Sequence, residues 1–305
     1  YSKGLEMDDK MLDGNSTHLR TNYPHMYHFV SNVPAASLPK SYDLRARGEW
    51  FTVRNQMSCG ACFAFAAASA LESVMYKSTV GNMVTLSPQA AMDCTTAMVE
   101  KVGAAASRSD MATSSGCNGG NVAWTIEGLI AGGGLPQEET YPYVGINGAC
   151  KTSLLFNTSA SQLVFKPDGY FWLVGSYDEE DLATPAARNV TKIKQALVQY
   201  GAVAVAVHAG DDWHAYTGGV LNSTECAANN PDEYAPDHAV VIIGWTEDGN
   251  WIVANQWSEY WGMYGTMLLP FDNDCYAATL FPMVMFKTSQ LPPGTRLRHV
   301  GDVMD

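Results

Sequence analysis

Seven cysteines constrain what this 305-residue chain can fold into more than any other feature of its sequence. Because seven is an odd number, complete pairing would leave one thiol free. Four Asn-x-Ser/Thr sequons agree with an oxidising compartment in which N-linked glycans are added. The cysteines are Cys59, Cys62, Cys94, Cys117, Cys150, Cys226 and Cys275, and the sequons lie at Asn15, Asn157, Asn189 and Asn222. We therefore expect three disulfides, glycosylation at the four sequons and one reactive cysteine.

Cys62 begins an Ala-rich run that extends to Lys77 without Gly or Pro and predicts a largely buried helix. A cysteine in the first helical turn faces the positive end of the macrodipole and unpaired backbone N–H groups, which favour the thiolate. The alternative is that Cys59 and Cys62, spaced as Cys-x-x-Cys, form a metal-binding or redox pair. No second Cys-x-x-Cys and no His-x-x-x-His accompanies them. The sequence therefore predicts no metal and no other cofactor.

Composition predicts a soluble, globular protein with a sizeable core, since 47% of the residues are apolar. A net charge of −13 argues against nucleic acid and against an anionic membrane surface as partners. No apolar run approaches the roughly 20 residues that span a bilayer. No signal peptide is visible at Tyr1, so a secreted or vacuolar protein would already have lost it.

A helical first half and a β-rich second half predict an α+β fold with a cleft between the halves. Residues 1–37 are polar and lack a sustained period, so we interpret them as an extended arm. Residues 97–116 and 151–190 are predicted to be surface insertions, the second with a solvated acidic cluster at 178–181. Helices are predicted over 62–77, from Pro88 after an N-cap at Ser87, over 122–130 and over 192–200. Strands are predicted over 202–207, 239–245, 251–255 and 264–269, the middle two forming a hairpin.

A cysteine nucleophile needs a base that also acts as its counter-ion, and that base needs a group that orients it. His238 begins the first strand of the predicted hairpin and Asn255 ends the second, so antiparallel pairing brings them together. The Asn255 side-chain oxygen would then fix the imidazole tautomer and aim its other nitrogen at Cys62. Trp257 would cover that bond, and the Gln56 amide would join the Cys62 backbone N–H as an oxyanion hole. Each residue alone has an ordinary structural explanation, but together, in this order, they favour catalysis.

The motifs around these residues resemble the papain family of cysteine peptidases, which includes the cathepsins. The segment Cys59-Gly60-Ala61-Cys62-Phe63 is similar to the family signature Cys-Gly-[Ser/Ala]-Cys-[Trp/Tyr]. The likeness extends from Leu38 to Met283, about four-fifths of the chain. Other similar segments are Leu38-Pro39-Lys40-Ser41-Tyr42-Asp43-Leu44-Arg45, Gly116-Cys117-Asn118-Gly119-Gly120, Tyr141-Pro142-Tyr143, Tyr216-Thr217-Gly218-Gly219-Val220, Asp237-His238-Ala239-Val240 and Asn255-Gln256-Trp257.

The resemblance implies a papain-like fold of two subdomains, the second an antiparallel β-barrel-like half, with the active-site cleft between them. It implies Cys62 as nucleophile, His238 as general acid/base, Asn255 as orienter and Gln56 as oxyanion donor. The implied substrate-binding residues are Gly119, Gly120, Val122, Val205, Ala206, Pro236, Asp237, Trp257 and Leu280. The implied disulfides are Cys59–Cys117, Cys94–Cys150 and Cys226–Cys275, which leave Cys62 free and argue against the redox alternative.

Three positions depart from the family pattern. Phe63 follows the nucleophile in place of the usual Trp, and Gln256 follows the Asn in place of a small residue. His238 lies 176 positions after Cys62, beyond the roughly 130–150 typical of the family. The insertion at 97–116 carries no paired histidines, which favours an endopeptidase over a carboxydipeptidase.

The pocket for the second residue before the scissile bond would be lined by Val122, Val205 or Ala206, Pro236 and Leu280. This apolar lining predicts a preference for Leu, Val, Phe or Met over Arg at that position. The expected partners are a protein or peptide substrate and the chain's own prosegment or a protein inhibitor, in a secreted, lysosomal or vacuolar setting. The second hypothesis is a catalytically inactive papain-like glycoprotein with a structural or binding role, because a fold does not guarantee activity.

The expected division is an arm or prosegment remnant over residues 1–37, a peptidase domain over 38–285 and a C-terminal tail over 286–305. Residues 5–12 resemble the acidic, helical end of a prosegment. We expect the arm to run over the cleft and its removal near Leu38 to release activity. The alternative is an arm that only packs on the surface.

Overall fold

We describe a computed structural model of the chain, which covers residues 2–8, 11, 15–50, 53–79, 81, 83–101, 116–156, 164–173, 189–227 and 235–302. The helices in chain order are α1 Ser16–Asn22, α2 Cys62–Ser78, α3 Pro88–Lys101, α4 Val122–Gly132, α5 Thr152–Phe156, α6 Val190–Gln199, α7 Asp211–His214 and α8 Thr224–Ala227. The strands are β1 Met26–His28, β2 Tyr42–Asp43, β3 Leu135–Pro136, β4 Val164–Phe165, β5 Gly169–Trp172, β6 Val203–Val207, β7 His238–Trp245, β8 Asn250–Ala254, β9 Thr266–Pro270 and β10 Met283–Phe286.

Helix α2 is the centre of the molecule, and its residues from Cys62 to Met75 are buried on all sides. A helix that is apolar all round needs partners on all sides, and α2 packs against α3, α4 and β7. Its alanines let these neighbours approach closely. The helix therefore carries Cys62, its first residue, into the boundary between the helices and the sheet.

The main sheet runs in the order β1-β5-β10-β6-β7-β8-β9, and β2 also pairs with β7. Strands β6, β7, β8 and β9 are antiparallel neighbours, with Val241 opposite Ala254 in the predicted hairpin. Their burial on both faces explains why these segments are continuous apolar runs rather than alternating ones. The α+β fold class is confirmed, and the described strands follow an open path rather than a closed barrel.

Most predicted elements of the peptidase region are present within a few residues of their predicted ends. The Ser87 hydroxyl accepts a bond from the Ala90 N–H at 2.9 Å at the start of α3, as an N-cap does. Helix α4 ends at Gly132 and is capped by Gly133, whose φ of 111° lies in the left-handed region that favours glycine.

The amino-terminal residues differ from the expected extended arm, because they contain helix α1 and strand β1. Residues 5–8 are not helical, since Leu5 forms a parallel bridge with Gly120. Both differences have one cause, which is that these short elements are stabilised by distant parts of the chain rather than by local periodicity. The sequon Asn157, the acidic cluster at 178–181 and most of the two predicted insertions lie outside the described residues.

Three disulfides connect the same pairs that the resemblance implies, and Cys62 is the free cysteine among the described residues. The pairs are Cys59–Cys117, Cys94–Cys150 and Cys226–Cys275. The first links the loop before α2 to the loop before α4. The two loops that flank the cleft are therefore held together covalently.

A buried ion pair fixes the chain that leads into the site. The Arg54 guanidinium contacts the carboxylate of Glu72 in α2 and lies 2.7 Å from Glu138. Burial raises the pKa of Glu72 to about 7, although Arg54 and the Leu86 N–H act in the opposite direction. Because Arg54 precedes Gln56 by two residues, this pair anchors the Gln56 loop to α2.

Within the described ranges, no helix has both the length and the apolarity needed to cross a membrane.

Candidate active site

Cys62 lies at the amino-terminal end of α2 and has no exposed surface. Ala61 is the N-cap and offers no side-chain oxygen, so the first N–H groups of the helix have no side-chain cap. An uncapped helix start presents orphan N–H donors and the positive end of the macrodipole. The Cys62 backbone N–H is therefore available to an oxygen that develops negative charge beside the sulfur.

His238 and Asn255 meet as the sequence predicts. The Nε2 of His238 lies 2.8 Å from the Oδ1 of Asn255, and the Gln256 backbone N–H donates to the same Oδ1 at 2.9 Å. An amide oxygen can only accept hydrogen bonds, so the His238 nitrogen that faces Oδ1 must be the donor. Nε2 therefore carries the proton, and Nδ1 is the unprotonated nitrogen. Among the described residues, the buried Nδ1 has no hydrogen-bond partner. The sequence predicts that this nitrogen is aimed at Cys62.

Trp257 covers the His238–Asn255 bond. Its ring stacks on the His238 ring with centroids 4.8 Å apart and an interplanar angle of 26°. Both His238 and Asn255 are buried, so water has little access to the bond between them. A shielded hydrogen bond is stronger than an exposed one, which keeps the imidazole in one orientation.

Gln56 lies in the same buried cluster. Its Nε2 donates to the Cys59 carbonyl oxygen at 2.8 Å, which leaves the second amide hydrogen for another acceptor. Its backbone N–H donates to the Gln256 carbonyl oxygen at 2.8 Å. Gln56 lies in the loop before Cys62, and its role as an oxyanion donor stays a prediction from the sequence.

Gln256 connects the parts of the site. Its side chain is buried, and its Nε2 donates to the carbonyl oxygen of Ala239, the residue after His238, at 2.8 Å. With the bonds to Asn255 and Gln56, this one residue contacts three segments of the catalytic cluster. The sequence marks Gln256 only as a departure from a family pattern, because a single sequence does not show what it contacts.

The amino-terminal residues 2–8, hereafter the cleft segment, lie across the site. The Gly4 and Leu5 N–H groups both donate to the Asp237 carbonyl oxygen, at 3.3 and 3.2 Å. The Gly120 N–H donates to the Gly4 carbonyl oxygen at 2.9 Å, and the Glu6 N–H donates to the Gly120 carbonyl oxygen at 2.8 Å. The cleft segment therefore adds a short parallel strand to the backbone at Gly120.

The cleft segment touches both sides of the Cys62–His238 pair. The Trp257 Nε1 donates to the Ser2 carbonyl oxygen at 2.9 Å on the histidine side. On the cysteine side, Gly4 packs against Gly60 so closely that a Cβ on Gly4 would lie 2.0 Å from the Gly60 carbonyl oxygen. Glycine at both positions makes this approach possible. In this arrangement Cys62 has no exposed surface.

With the cleft covered, both members of the pair are uncharged near neutral pH. Burial raises the pKa of the Cys62 thiol to about 12, although the Ala239 and Phe63 N–H groups act in the opposite direction. Burial lowers the pKa of His238 to about 4, against the opposing effect of its bond to Asn255. The sequence predicts a thiolate favoured by the helix start. Here desolvation outweighs the macrodipole, so the thiol is the stable form.

Lys3 of the cleft segment adds to this effect. Its Nζ lies 2.5 Å from the Asp237 carboxylate, next to His238 in the chain. The ammonium charge is one of the smaller causes that lower the pKa of His238. Sequence reasoning missed Lys3, because no local signal shows which residue of an arm will face a carboxylate 234 positions away.

The two glycines expected to bind substrate line the cleft, but for different reasons. A Cβ on Gly120 would lie 2.8 Å from the Phe63 ring, so Phe63 forms the wall against which this backbone rests. A Cβ on Gly119 would lie 3.0 Å from the Gly4 carbonyl oxygen, so a side chain there would obstruct a bound backbone. Phe63 therefore keeps the aromatic wall at the position where the family usually has Trp.

The residues expected to form the specificity pocket come from several elements. Val122 begins α4 just after Gly120, and buried Pro236 precedes Asp237. Ala206 pairs with Ala239, whereas Val205 pairs with Val240, so the two candidates point to opposite faces of the sheet. Leu280 is half-buried before β10, where its carbonyl oxygen accepts a bond from Trp172.

His214 is a second residue that sequence reasoning missed. Its ring stacks on Trp257 with centroids 5.0 Å apart, and it lies at the end of the short helix α7. It is one of the smaller causes that lower the pKa of His238. Nothing in the pattern Asp-Asp-Trp-His distinguishes it from a surface histidine.

The fold and the site define a class: an α+β protein whose cleft holds a cysteine at a helix start opposite a histidine oriented by an asparagine. The protein-family model described as papain family cysteine protease matches residues 38–283 of the sequence. The chain belongs to the papain family of cysteine proteases, as the sequence motifs predict.

Two curated relatives and one solved structure show the range of similarity. The chain is 31% identical over 270 residues to cathepsin J of Mus musculus, which covers 84% of this chain and 67% of that protein. It is 29% identical over 252 residues to cathepsin L2 of Homo sapiens, which covers 79% of this chain and 64% of that protein. The chain thus spans about two-thirds of the length of these relatives.

The proform of the ragweed pollen allergen Amb a 11, a cysteine protease, has a similar fold. Its TM-score is 0.62 at 26% identity, and the match covers 84% of this chain and 68% of that chain.

Proposed function

We propose that this chain is a thiol endopeptidase that hydrolyses peptide bonds through an acyl-enzyme on Cys62. The observation that carries the proposal is the buried, oriented imidazole: His238 Nε2 bonds Asn255 at 2.8 Å, while Nδ1 is left without a hydrogen-bond partner among the described residues. An unprotonated nitrogen held in one orientation beside a helix-start cysteine is what a general base requires.

The reaction proceeds in two halves. The Cys62 thiol proton passes to His238 Nδ1, the sulfur attacks the peptide carbonyl carbon, and the carbonyl oxygen takes the electron pair as an oxyanion. The Gln56 amide and the Cys62 N–H stabilise that oxyanion. His238 then donates its proton to the leaving amine as the C–N bond breaks. Water, deprotonated by His238, next attacks the thioester and releases the acid and the free thiol.

We also propose that the cleft segment keeps the enzyme latent. Its backbone pairs with the backbone of Gly120, and Gly4 lies against Gly60, where a substrate would have to pass. It also buries the Cys62–His238 pair, so that the ion pair needed for attack is unfavourable until the segment leaves. Clearance of the cleft would admit substrate and charge the pair at the same time.

For substrate choice, we propose an apolar pocket for the second residue before the scissile bond, formed by Val122, Ala206, Pro236 and Leu280. Ala206 is favoured over Val205 because its partner Ala239 carries the N–H that acts on the Cys62 sulfur. Small residues at both positions leave room for Leu, Val, Phe or Met. The three disulfides and the sequons support a secreted, lysosomal or vacuolar lumen as the working compartment.

Steady-state turnover of a peptide panel tests the proposal. Chain cleared of the cleft segment should cleave peptides with Leu or Phe at the second position before the scissile bond at least about ten-fold faster than those with Arg. The Cys62→Ser variant, treated in the same way, should show no turnover. A panel in which Arg is preferred would contradict the pocket, and absence of turnover from every peptide would favour the inactive glycoprotein.

A further inference from the structure

The amino-terminal residues form two parts with different attachments. Residues 2–6 of the cleft segment make their contacts at the catalytic site, whereas the Asp8 carboxylate accepts a bond from the Tyr23 hydroxyl and lies 2.9 Å from the His18 Nε2. Residues 15–33, hereafter the anchor segment, are instead built into the sheet and the core far along the chain. Leu19, Tyr23 and Met26 of this segment have no exposed surface.

Strand β1 of the anchor segment is the first strand in the path of the main sheet, and backbone contacts cover its outer side. On one side β1 pairs in parallel with β5, with Met26 opposite Tyr170. On the other side, His299 forms an isolated antiparallel bridge with Tyr27, and residues 298–302 around this bridge are hereafter the tail strand. The His28 N–H donates to the Arg298 carbonyl oxygen at 2.9 Å, and the Val300 N–H donates to the Met26 carbonyl oxygen at 3.2 Å.

The tail strand also contacts the anchor segment through side chains. The His299 Nε2 lies 2.9 Å from the Tyr23 carbonyl oxygen. Arg20 donates from Nε to the Gly301 carbonyl oxygen at 3.0 Å and forms an ion pair with Asp302 at 2.9 Å. The tail strand lies beyond residue 283, where the family match ends, so the family domain alone does not account for it.

A buried carboxylate of the peptidase region depends on the anchor segment. Glu127 of α4 is 2% exposed and accepts bonds from the His25 N–H at 3.0 Å and from the Tyr170 hydroxyl at 3.1 Å. The His25 ring lies 2.6 Å from the other carboxylate oxygen. Loss of the anchor segment would remove two of these three partners and strand a buried charge, which is costly.

The remaining residues of the anchor segment are held by α6 and its carboxyl end. Gln199 accepts bonds from the Ser31 hydroxyl at 2.7 Å and the Asn32 N–H at 3.1 Å. The Tyr200 hydroxyl donates to the Val30 carbonyl oxygen at 2.8 Å, and Phe29 packs edge-on against Phe171.

We propose that β5 and the tail strand form a binding surface for the anchor segment, which stays on the enzyme as a structural part after the cleft segment is removed. Processing near Leu38 would then cut the chain without releasing residues 15–33. The inference rests on the proposed clearance of the cleft segment but not on catalysis. The mature enzyme thus consists of the papain-like domain plus one strand and one helix from the region upstream of it.

Two recognition sites for an added site-specific protease test this in the full-length Cys62→Ser chain, one inserted between residues 12 and 13 and one between 37 and 38. Ala35–Ser37 form an exposed turn, so the second site is placed where insertion is tolerated. After both cuts, gel filtration and mass spectrometry should find peptide 1–12 released and peptide 13–37 co-eluting with the domain. Departure of peptide 13–37 together with, or before, peptide 1–12 would overturn the proposal.

Shortened chains test whether the tail strand is what keeps the anchor segment on the domain. A chain ending at Leu297 should lose peptide 13–37 at least about ten-fold faster than a chain ending at Asp302, which keeps every described contact. If the shorter chain does not fold, Arg20→Ala, which removes the two contacts of Arg20 with Gly301 and Asp302, should also speed release. Equal release from all these chains would contradict the role of the tail strand. Because the protease is added, a failed result here is separate from absence of peptidase activity.

Discussion

At the scale of single residues, the site depends on one hydrogen-bond chain. His238 is oriented by Asn255, Asn255 is fixed by the Gln256 N–H, and Gln256 bonds both Ala239 and Gln56. The Gln256 side chain bonds the strand that begins at His238, and its backbone bonds Asn255 and Gln56. Gln256 is therefore a positioning residue.

Gln256→Ala should lower kcat about three- to ten-fold with little change in KM, because the lost bond to Ala239 is worth about 1 kcal/mol and holds the strand that carries His238. Gln89→Ala is the matched control, since its buried amide likewise donates to a backbone carbonyl, that of Ile146 at 2.9 Å. The control should lose stability but keep kcat. An unchanged kcat in Gln256→Ala, or an equal fall in both variants, would contradict the positioning role.

Acidification should open the cleft. Burial holds the pKa of His238 at about 4, whereas a hydrated imidazole has a pKa near 6.5, so the open state binds a proton that the closed state does not. The opening equilibrium should therefore become more favourable as pH falls from about 6.5 toward 4, by roughly 300-fold in total, and should level off below that. Hydrogen exchange of the Glu6 and Gly120 amides in the Cys62→Ser variant, corrected for intrinsic rates, measures this opening equilibrium. The same pH dependence in His238→Gln would rule out this histidine as the cause.

At the scale of elements, the cleft segment is held by backbone pairing, by the Lys3–Asp237 ion pair and by the contacts of Asp8 with Tyr23 and His18. Lys3 and Asp237 are about one-third exposed, so their attraction is partly screened.

Lys3→Glu should raise the basal turnover of the unprocessed chain by about three- to ten-fold, because it puts two carboxylates together and removes a positive charge near His238. Lys40→Glu is the control, since Lys40 pairs with Glu247 at 2.6 Å in a highly exposed bridge of a different element. Basal turnover that is unchanged in Lys3→Glu, or raised equally in both variants, would show that this ion pair does not hold the segment.

Elements with strong local patterns were predictable from the sequence, and elements held by distant partners were not. The Ala-rich helix α2 and the β7–β8 hairpin carry their own signals, in composition and in an Asp-Gly turn. Strand β1 has three residues and exists because β5 and the tail strand lie on its two sides. A three-residue strand carries no period, so its partners cannot be read from it.

The same division applies to the site. His238 and Asn255 were predictable because a hairpin brings the end of one strand to the start of the other. Lys3 and the bonds of Gln256 were not, because they depend on contacts between segments that are far apart in the chain.

At the scale of the whole molecule, the cleft segment differs from the anchor segment and the tail strand in where it contacts the catalytic domain. The cleft segment lies where a substrate must lie, whereas the anchor segment and the tail strand complete the sheet. On the proposals above, the first 33 residues carry both a segment that is removed and a segment that stays on the enzyme. If these proposals hold, the cleft segment alone keeps a reactive Cys62 covered.

Labelling with an electrophilic epoxide at acidic pH tests this expectation most directly. Full-length chain, chain cut between residues 12 and 13, and the cut Cys62→Ser variant are each treated, and the adduct is mapped by mass spectrometry. We expect rapid modification of Cys62 in the cut chain, slow modification in the full-length chain and none in the Cys62→Ser variant. A folded, cut chain whose Cys62 stays unmodified would contradict the account and indicate that the site is inactive.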